Sequence, residues 1–358
     1  MKVEIINDIG DLQITKAEWE ALVAENETNT IFQTYEWFTS WWSVFGAENS
    51  LFFILVYDEN DTLLGFAPLA INNSLYGKRF LIFAGDGNAD YLDFITPSHK
   101  KEVLYQIFRT IKQHRGSWKN ILLRNIPACS TTIGLAKSFS PRLCTYSTVE
   151  TNVVCPTLIL KNHINEAAHT ANKYSTKRSF NYFNKNGKLN YEIINNEKAI
   201  DKNLDDFFQQ HIQRWRNTST PSLFLNDSNK VFYRILAKTL LPKNQLFFSV
   251  IMYGDYPLAY HYGFDYNSVV TWYKPTFDIR HAKHSPGILL IRYLIQYCLD
   301  NKKSELDFTV GNEPFKNRFA NLRRHNVTLR VFTSQTGYCG FCFKYLIKKF
   351  AKKLIGRN

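Results

Sequence analysis

Long apolar runs are missing from this sequence. None approaches the roughly 20 residues that a helix needs to cross a bilayer, so no spanning helix is expected. The opening residues, Met1-Lys2-Val3-Glu4-Ile5-Ile6-Asn7-Asp8, place acids where a signal peptide has its apolar core, which predicts a cytoplasmic chain. Cysteine is sparse: six residues, at Cys129, Cys144, Cys155, Cys298, Cys339 and Cys342, without the spacing of a disulfide framework. They read as reduced, mostly packed thiols. Cys339 and Cys342 form a single CxxC, but a zinc site wants a second ligand pair at suitable spacing, and none is clear. No metal is expected.

What is present sets the scale. A chain of 358 residues exceeds what one core usually supports, so two domains are expected. At 45% hydrophobic and 15% aromatic it can build sizeable cores, which excludes global disorder. A net charge of +13 and a pI near 9.3 favour anionic partners: phosphate-bearing cofactors, RNA, acidic glycans or an anionic membrane face. The charge does not choose among them.

An internal repeat divides the chain. The apolar run Leu51 to Tyr57, the polar turn Asp58-Glu59-Asn60-Asp61 and the run Leu63 to Leu69 read as a β-hairpin. Leu246 to Tyr253, the turn Gly254-Asp255 and Pro257 to Phe264 read as a second one. The first hairpin is followed by strand-like residues 80–84 and 91–95, a helix at about 98–114 and a strand from Trp118 to Ile126. The second is followed by a strand from Val269 to Pro275, a polar loop, a helix at about 286–300 and a strand from Glu305 to Val310. Helices precede each hairpin, at 16–25 and 35–45, then at about 166–186 and 201–217. This order predicts two related α/β domains, residues 1–155 and 156–337, followed by a basic tail, residues 338–358.

Ser285-Pro286-Gly287 opens the predicted second-half helix. Serine is a good N-cap, because its hydroxyl can accept from free backbone N–H groups. Proline suits the first helical position. Glycine in the first turn weakens a helix, yet it suits a site where something must approach the backbone closely. Free N–H groups and the helix dipole make an anion site, and Arg280, Lys283 and His284 just upstream could add positive charge. The corresponding first-half stretch, Thr96-Pro97-Ser98-His99-Lys100-Lys101-Glu102, lacks the glycine and carries an acid, so the second domain is the better cofactor site. Simple helix capping is the alternative.

An ordered set of motifs carries a family resemblance. The second half has Trp272-Tyr273-Lys274-Pro275, Phe277-Asp278, Ser285-Pro286-Gly287, and then Asp307-Phe308-x-x-Gly311-x-Glu313-x-Phe315-Lys316-x-Arg318-Phe319. The first half has Phe32-Gln33-Thr34-Tyr35-Glu36-Trp37, Gly65-Phe66-Ala67-Pro68-Leu69 and Asp90-Tyr91-Leu92-Asp93. Over roughly residues 15–335 the chain resembles the BioF2-like (CelD-like) acetyltransferase domain family of the GNAT superfamily, akin to the FemAB peptidyltransferases. The resemblance implies tandem GNAT-like α/β domains, each a mixed sheet flanked by helices. It also implies acyl transfer with acyl-CoA, acetyl-CoA foremost, as co-substrate. Lys283, His284, Ser285, Pro286, Gly287 and Ile288 match the pyrophosphate-binding loop, though with one glycine where the family pattern has more. FemAB enzymes take aminoacyl-tRNA and many carry a long helical arm; no coiled-coil insertion is evident here.

Acyl transfer to an amine needs a base or water path, oxyanion donors and an acid for the leaving thiolate. Asp307 and Glu313 are the base candidates, Asp307 being the weaker because its carboxylate can simply fix the loop. Lys316 and Arg318 could bind an anionic acceptor or steady the carboxylates; a strand-end turn with surface ion pairs is the alternative. His261 is either a packing or a catalytic histidine. Trp272 and Tyr273 could line an acceptor groove or pack in the core. Asp90, Tyr91 and Asp93 form the polar cluster of the first domain, either in an acceptor cleft between the domains or in a strand-end turn.

Two basic stretches remain. Lys173 to Lys188 interleaves lysines and an arginine with aromatics, which suits RNA or simply a solvated helix face, the latter being favoured. In Arg214-Trp215-Arg216 the tryptophan packs while the arginines reach solvent or phosphate. In the tail, Phe343, Ile347, Phe350 and Leu354 alternate with lysines as a basic amphipathic helix, which lies either on an anionic membrane's inner face or on the protein itself. The functions these features support are an acyl-CoA-dependent N- or O-acyltransferase acting on a cell-envelope sugar, a peptidoglycan precursor or a small amine; a FemAB-like aminoacyl-tRNA-dependent transferase; or a non-catalytic binding protein of a polysaccharide-synthesis system. The acceptor expected is a small molecule or glycan. Nucleic acid is not, except tRNA under the second reading.

Overall fold

Both hairpins form where turn chemistry meets apolar runs. In a computed structural model, which describes residues 1–73, 75, 79–97, 101–136 and 146–343, β1 (Lys2–Ile6) pairs antiparallel with β2 (Asn49–Tyr57), and β2 with β3 (Leu63–Asn72). Asp58 closes the turn, its carboxylate accepting from the N–H groups of Asn60 (2.8 Å) and Thr62 (2.9 Å). β4 (Phe80–Phe83) follows, then α3 (Lys101–Gln113), and β5 (Asn120–Pro127) returns parallel to β4. Helices α1 (Lys16–Glu25) and α2 (Tyr35–Phe45) precede the hairpin. A capping box starts α1: the Thr15 hydroxyl accepts from Glu18 N–H, and the Glu18 carboxylate accepts from Thr15 N–H.

The second half repeats this order. β6 (Tyr146–Ile159) is followed by α4 (Ile164–Ala171), α5 (Tyr174–Asn186) and β7 (Leu189–Ile193). Then come α6 (Glu197–Trp215) and α7 (Asp227–Leu240), the hairpin β8 (Leu246–Tyr253) and β9 (Tyr256–Tyr266), and β10 (Val269–Phe277). α8 (Pro286–Asp300) crosses to β11 (Glu305–Asp307), parallel to β10. A short helix, α9 (Pro314–Phe319), leads into β12 (Leu322–Phe332).

The chain divides into two compact units. Among the described residues, those within 1–38, 45–152 and 325–343 form the first; residues 39–44 and 153–324 form the second. Strand order in the first is β1-β2-β3-β4-β5-β12, and in the second β7-β8-β9-β10-β11-β6. The last strand of the first unit, β12, comes from the other half of the chain. Asn326–Phe332 of β12 pairs antiparallel with β5, while Thr157–Ile159 of β6 pairs antiparallel with β11. The expected boundary at 155 falls near the observed break, but residues 325–337 belong with the first unit. Pairing with β5 buries Val327, Leu329 and Val331 there.

Other expectations need correction. Residues 91–95 form no strand, only the single bridge of Ile95 to Phe66. The predicted helix at 166–186 is broken into α4 and α5. β11 ends at Asp307, because Thr309 (φ 52°) and Gly311 (φ 137°) turn the chain out of the extended region. The helix start at 98–100 and the tail residues 344–358 lie outside the described residues, so the amphipathic tail keeps the standing of an expectation. Among the described residues no helix is long and apolar enough to cross a membrane.

Each unit has its own core. In the first, Trp19 packs against Phe38, Phe53 and Phe66, and its indole N–H donates to Gln33 O (2.8 Å). In the second, α8 buries Leu289, Leu290, Ile291, Leu294, Ile295 and Cys298 against Val270, Trp272 and Ile251 of the sheet. Each such side chain contributes about 1.5–3 kcal/mol of burial, which fixes α8 and therefore the position of its first turn.

Candidate active site

β10 and β11 part company partway along. They pair only from Val269–Thr271 against Glu305–Asp307. β10 then runs on to Phe277, and its register against β9 slips between Thr271 and Lys274. Side chains occupy carbonyls of this unaccompanied stretch. The Thr309 hydroxyl donates to Trp272 O (3.1 Å) and Arg214 Nη1 donates to Pro275 O (2.8 Å). The parting strands lead to the first turn of α8.

That turn differs from the expected cap. Ser285 adopts a left-handed conformation (φ 59°, ψ 57°), and its side chain makes no capping bond. A capping serine is ordinarily extended, which aims its hydroxyl at the first-turn N–H groups; the left-handed backbone turns it away. The first intrahelical bonds run from Ile288 (3.0 Å) and Leu289 (3.4 Å) N–H to Ser285 O. Gly287 N–H therefore has no acceptor within the helix. A Cβ added at Gly287 would meet only the Phe277 ring, at 3.5–3.6 Å, which is ordinary contact. Neither backbone angle nor packing requires glycine here.

The loop before it is tied down from α5 and β9. The Ser179 hydroxyl lies 2.8 Å from His284 O and 3.2 Å from Ser285 O. Tyr182 stacks on His284 at 3.4 Å between ring centroids. Tyr256 Oη bonds His281 Nε2 (2.7 Å). Of the expected cations, Lys283 is exposed, whereas Arg280 is spent on a bidentate pair with Asp278.

The segment after β11 is an ordered knot. Asp307 is buried and its Oδ1 accepts from Thr309 N–H (2.8 Å), so it fixes the turn. Gly311 N–H donates to Val154 O (2.9 Å). Glu313, about half exposed, pairs with Lys316 Nζ (3.1 Å), and that buried ammonium also donates to Val310 O (2.8 Å). Arg318 lies on the surface, apart from this pair.

Five of the expected residues, His261, Trp272, Tyr273, Asp93 and Tyr91, are buried. His261 is fully buried, stacked on Trp272, and its Nε2 donates to Thr271 O (3.0 Å). Burial pushes its pKa down to about 3, so the imidazole is neutral. With its proton held by a carbonyl and no exposed surface, it has no access to a substrate. Gly263 makes room for it, since a Cβ there would lie 2.4 Å from the ring. Trp272 and Tyr273 are likewise buried, the latter sharing a hydroxyl hydrogen bond with Tyr233 (2.7 Å); they form wall, not groove. Asp93 is the hub of a buried network, accepting from the hydroxyls of Thr28 (3.1 Å) and Thr132 (2.7 Å) and from Phe94 N–H (2.9 Å). Burial, opposed by these bonds, pushes its carboxyl up to about 6. Tyr91 is buried against Phe32. Asp90 is half-buried, with its carbonyl held by Asn326 Nδ2 (2.8 Å).

Two arginines were not among the expected site residues. Arg124 pairs with Asp86 in the first unit. Arg214, at the end of α6, lies 4.2 Å from the centre of the Phe277 ring, which also borders Gly287. The Arg-Trp-Arg triplet was its only signal in the sequence.

Residues 171–317 match the family model described as acetyltransferase (GNAT) domain. None of the curated proteins matches. Among solved structures the chain is similar to one titled FemX (10% identity, TM-score 0.65), covering 94% of this chain and 99% of that one. It is also similar to the C-terminal domain of a putative lysylphosphatidylglycerol synthetase from Agrobacterium fabrum (10%, TM-score 0.53, 90% and 95% covered). A third similar structure is a tandem GNAT protein from the clavulanic acid biosynthesis pathway (10%, TM-score 0.52, 93% and 99% covered). The fold is therefore that of the tandem GNAT-like proteins. Residues 171–317 thus carry the likeness to a GNAT-type acetyltransferase domain, and the chain is an enzyme of the transferase class. Among the described residues no group of three or more His, Cys, Asp or Glu is placed to hold a metal.

Proposed function

We propose that this enzyme transfers an acyl group, acetyl foremost, from an acyl-CoA to an amine or hydroxyl of a cell-envelope sugar, peptidoglycan precursor or small amine. One observation carries the reading. Where β10 loses its parallel neighbour, the strand leads to a helix start that no side chain caps, at a glycine the fold does not need. The Gly287 N–H left free in this way, at the positive end of the helix dipole, suits a pyrophosphate oxygen. Gly287, whose N–H has no acceptor within α8, would hold it, with Lys283 close by in sequence and Ile288 packed behind; the thioester, when bound, supplies the activated carbonyl.

The chain's own residues supply the rest. Ser179 and Tyr182 hold the loop in place before any ligand arrives. Asp307 and Thr309 set the turn, and Gly311 lets Glu313 approach Lys316. Glu313 is the reachable carboxylate of this segment, and we assign it to take the proton from the acceptor, with Lys316 holding it in position. The donor is assigned to the second unit. Asp90 and its loop in the first unit are where acceptor contacts are sought.

Calorimetry with acetyl-CoA tests the donor. Absence of binding, together with no effect of Gly287→Glu on any activity, overturns it. Turnover unchanged in Glu313→Gln would remove that residue from the chemistry and leave the function standing. A second reading, a donor carried on tRNA, is favoured by the face of α5. Lys177, Arg178 and Lys185 are exposed there with no carboxylate partner among the described residues. Electrophoretic shift with aminoacylated tRNA separates the two.

A further inference from the structure

Arg214 is a cation the fold places in a half-buried position without giving it a counter-ion. It makes no ion pair among the described residues, and its guanidinium spends one N–H on Pro275 O. The rest of its surroundings are ring faces, Phe277 at 4.2 Å and Trp215 at 5.1 Å. Among the described residues Glu313 is the one carboxylate whose field reaches it, and that group is engaged by Lys316. Burial holds the guanidinium down to about 10, against an ordinary value of 12.5. Next to it on the same helix, the indole N–H of Trp215 is buried and unpartnered. His211, stacked on Trp215, is neutral, with its pKa pushed down to about 3 by burial and by the neighbouring charges of Lys274 and Arg214.

Apart from Pro275 O, no described acceptor meets the Arg214 guanidinium or the Trp215 N–H, and a desolvated charge without a partner costs free energy. An arginine presents its N–H groups as a planar fork, which matches a carboxylate or phosphate. Phe277 connects this corner to the donor site, because its ring touches both Arg214 and the Gly287 position. We propose that Arg214 is a specificity residue that binds an anionic group, a carboxylate or phosphate monoester, carried either by the acyl acceptor or by the acyl chain. Its role in transfer rests on the acyl-CoA reading above; its capacity to bind the anion does not.

The test has a binding arm and a turnover arm. Thermal-shift titrations of the full chain with succinate and inorganic phosphate, without any CoA, should show saturable stabilisation, weakened roughly 10-fold or more in Arg214→Met and partly restored in Arg214→Lys. Ligand-free Arg214→Met should melt at the wild-type temperature or above it, because the change removes an uncompensated charge. If an acyl-CoA is a substrate, the source of the anion follows from two comparisons: glycine against glycinamide as acceptor, and succinyl-CoA against butyryl-CoA as donor. The preference for the anionic member in one comparison should collapse in Arg214→Met through KM, with kcat largely kept. The proposal is overturned if neither anion stabilises the wild type, or if Arg214→Met binds both as the wild type does. A clear drop in the melting temperature of ligand-free Arg214→Met also overturns it, by showing a purely structural arginine. Absence of turnover with every CoA thioester, alongside intact anion binding, refutes the donor reading and leaves the Arg214 site standing.

Discussion

Gly287 offers a substitution in which stability and binding are expected to move in opposite directions. Its backbone is helical and an added methyl would rest on Phe277 at 3.5–3.6 Å. Alanine should therefore fit, and glycine's helix penalty of about 1 kcal/mol, smaller in a first turn, should be relieved. Glutamate adds a favourable charge–dipole contact of about 0.3–1 kcal/mol at a helix N-terminus. Both variants should melt at least as high as the wild type, with a gain of about 1–3 °C. Donor binding should respond differently. A carboxylate about 5 Å from a phosphate charge, at an effective dielectric near 20, repels it by about 3 kcal/mol. That is roughly a 100-fold loss of affinity for Gly287→Glu, whereas Gly287→Ala should lose only a few-fold. Calorimetry with acetyl-CoA and scanning of the ligand-free variants give both numbers. Equal affinity in wild type and Gly287→Glu would show that no donor phosphate sits at this turn.

Three further outcomes follow from the buried groups. Asp93 is held at about 6, above the ordinary 3.8, so its protonated form favours folding: that contribution is complete below 3.8 and is lost as pH rises through 6. The first unit should gain about 2 kcal/mol between pH 7 and pH 4, a gain absent in Asp93→Asn; urea midpoints across that range that do not differ between the two proteins would contradict this. His261 behaves in the opposite sense. Its folded pKa of about 3 lies below the ordinary 6.5, so His261 should cost the second unit about 3 kcal/mol by pH 4, and His261→Phe should remove that share, leaving the similar share of His211, without altering the neutral-pH rate. A His261→Phe variant that is inactive yet folded would restore a chemical role to this residue. Gly311→Ala places a Cβ at φ 137° and within 2.2 Å of Glu313 Oε2, so it should destabilise by about 2 kcal/mol or more and disturb the Glu313–Lys316 pair; a change under about 0.5 kcal/mol in chemical denaturation would count against that packing.

Much of the architecture was written in local pattern. The two hairpins are legible because apolar runs flank turns built on Asp58 and on Gly254 (φ 60°). α8 is legible because Pro286 starts a helix whose buried stripe runs from Leu289 to Cys298. The repeat of hairpin, strand, helix and strand determined the fold class. The segment from Asp307 to Arg318 was marked as chemically dense; the structure makes Asp307 to Lys316 an ordered knot and leaves Arg318 on the surface.

The tertiary structure decided what depends on partners distant in sequence. Periodicity says which face of a strand is apolar, but not which neighbour receives its backbone hydrogen bonds, so the return of β12 to β5 of the first unit was not readable. Glu305 to Val310 looks uniformly extended, yet positive φ at Thr309 and Gly311 ends β11 early and opens the edge of β10. His261 and Asp93 have the residue types of a working site, and only burial shows them committed to internal hydrogen bonds. Arg214 shows the reverse. Its type and neighbours in sequence are unremarkable, and its meaning lies in which carboxylates fail to reach it. Charge and hydrogen-bond partners are set by three-dimensional distance, which a linear sequence carries only through the fold it specifies.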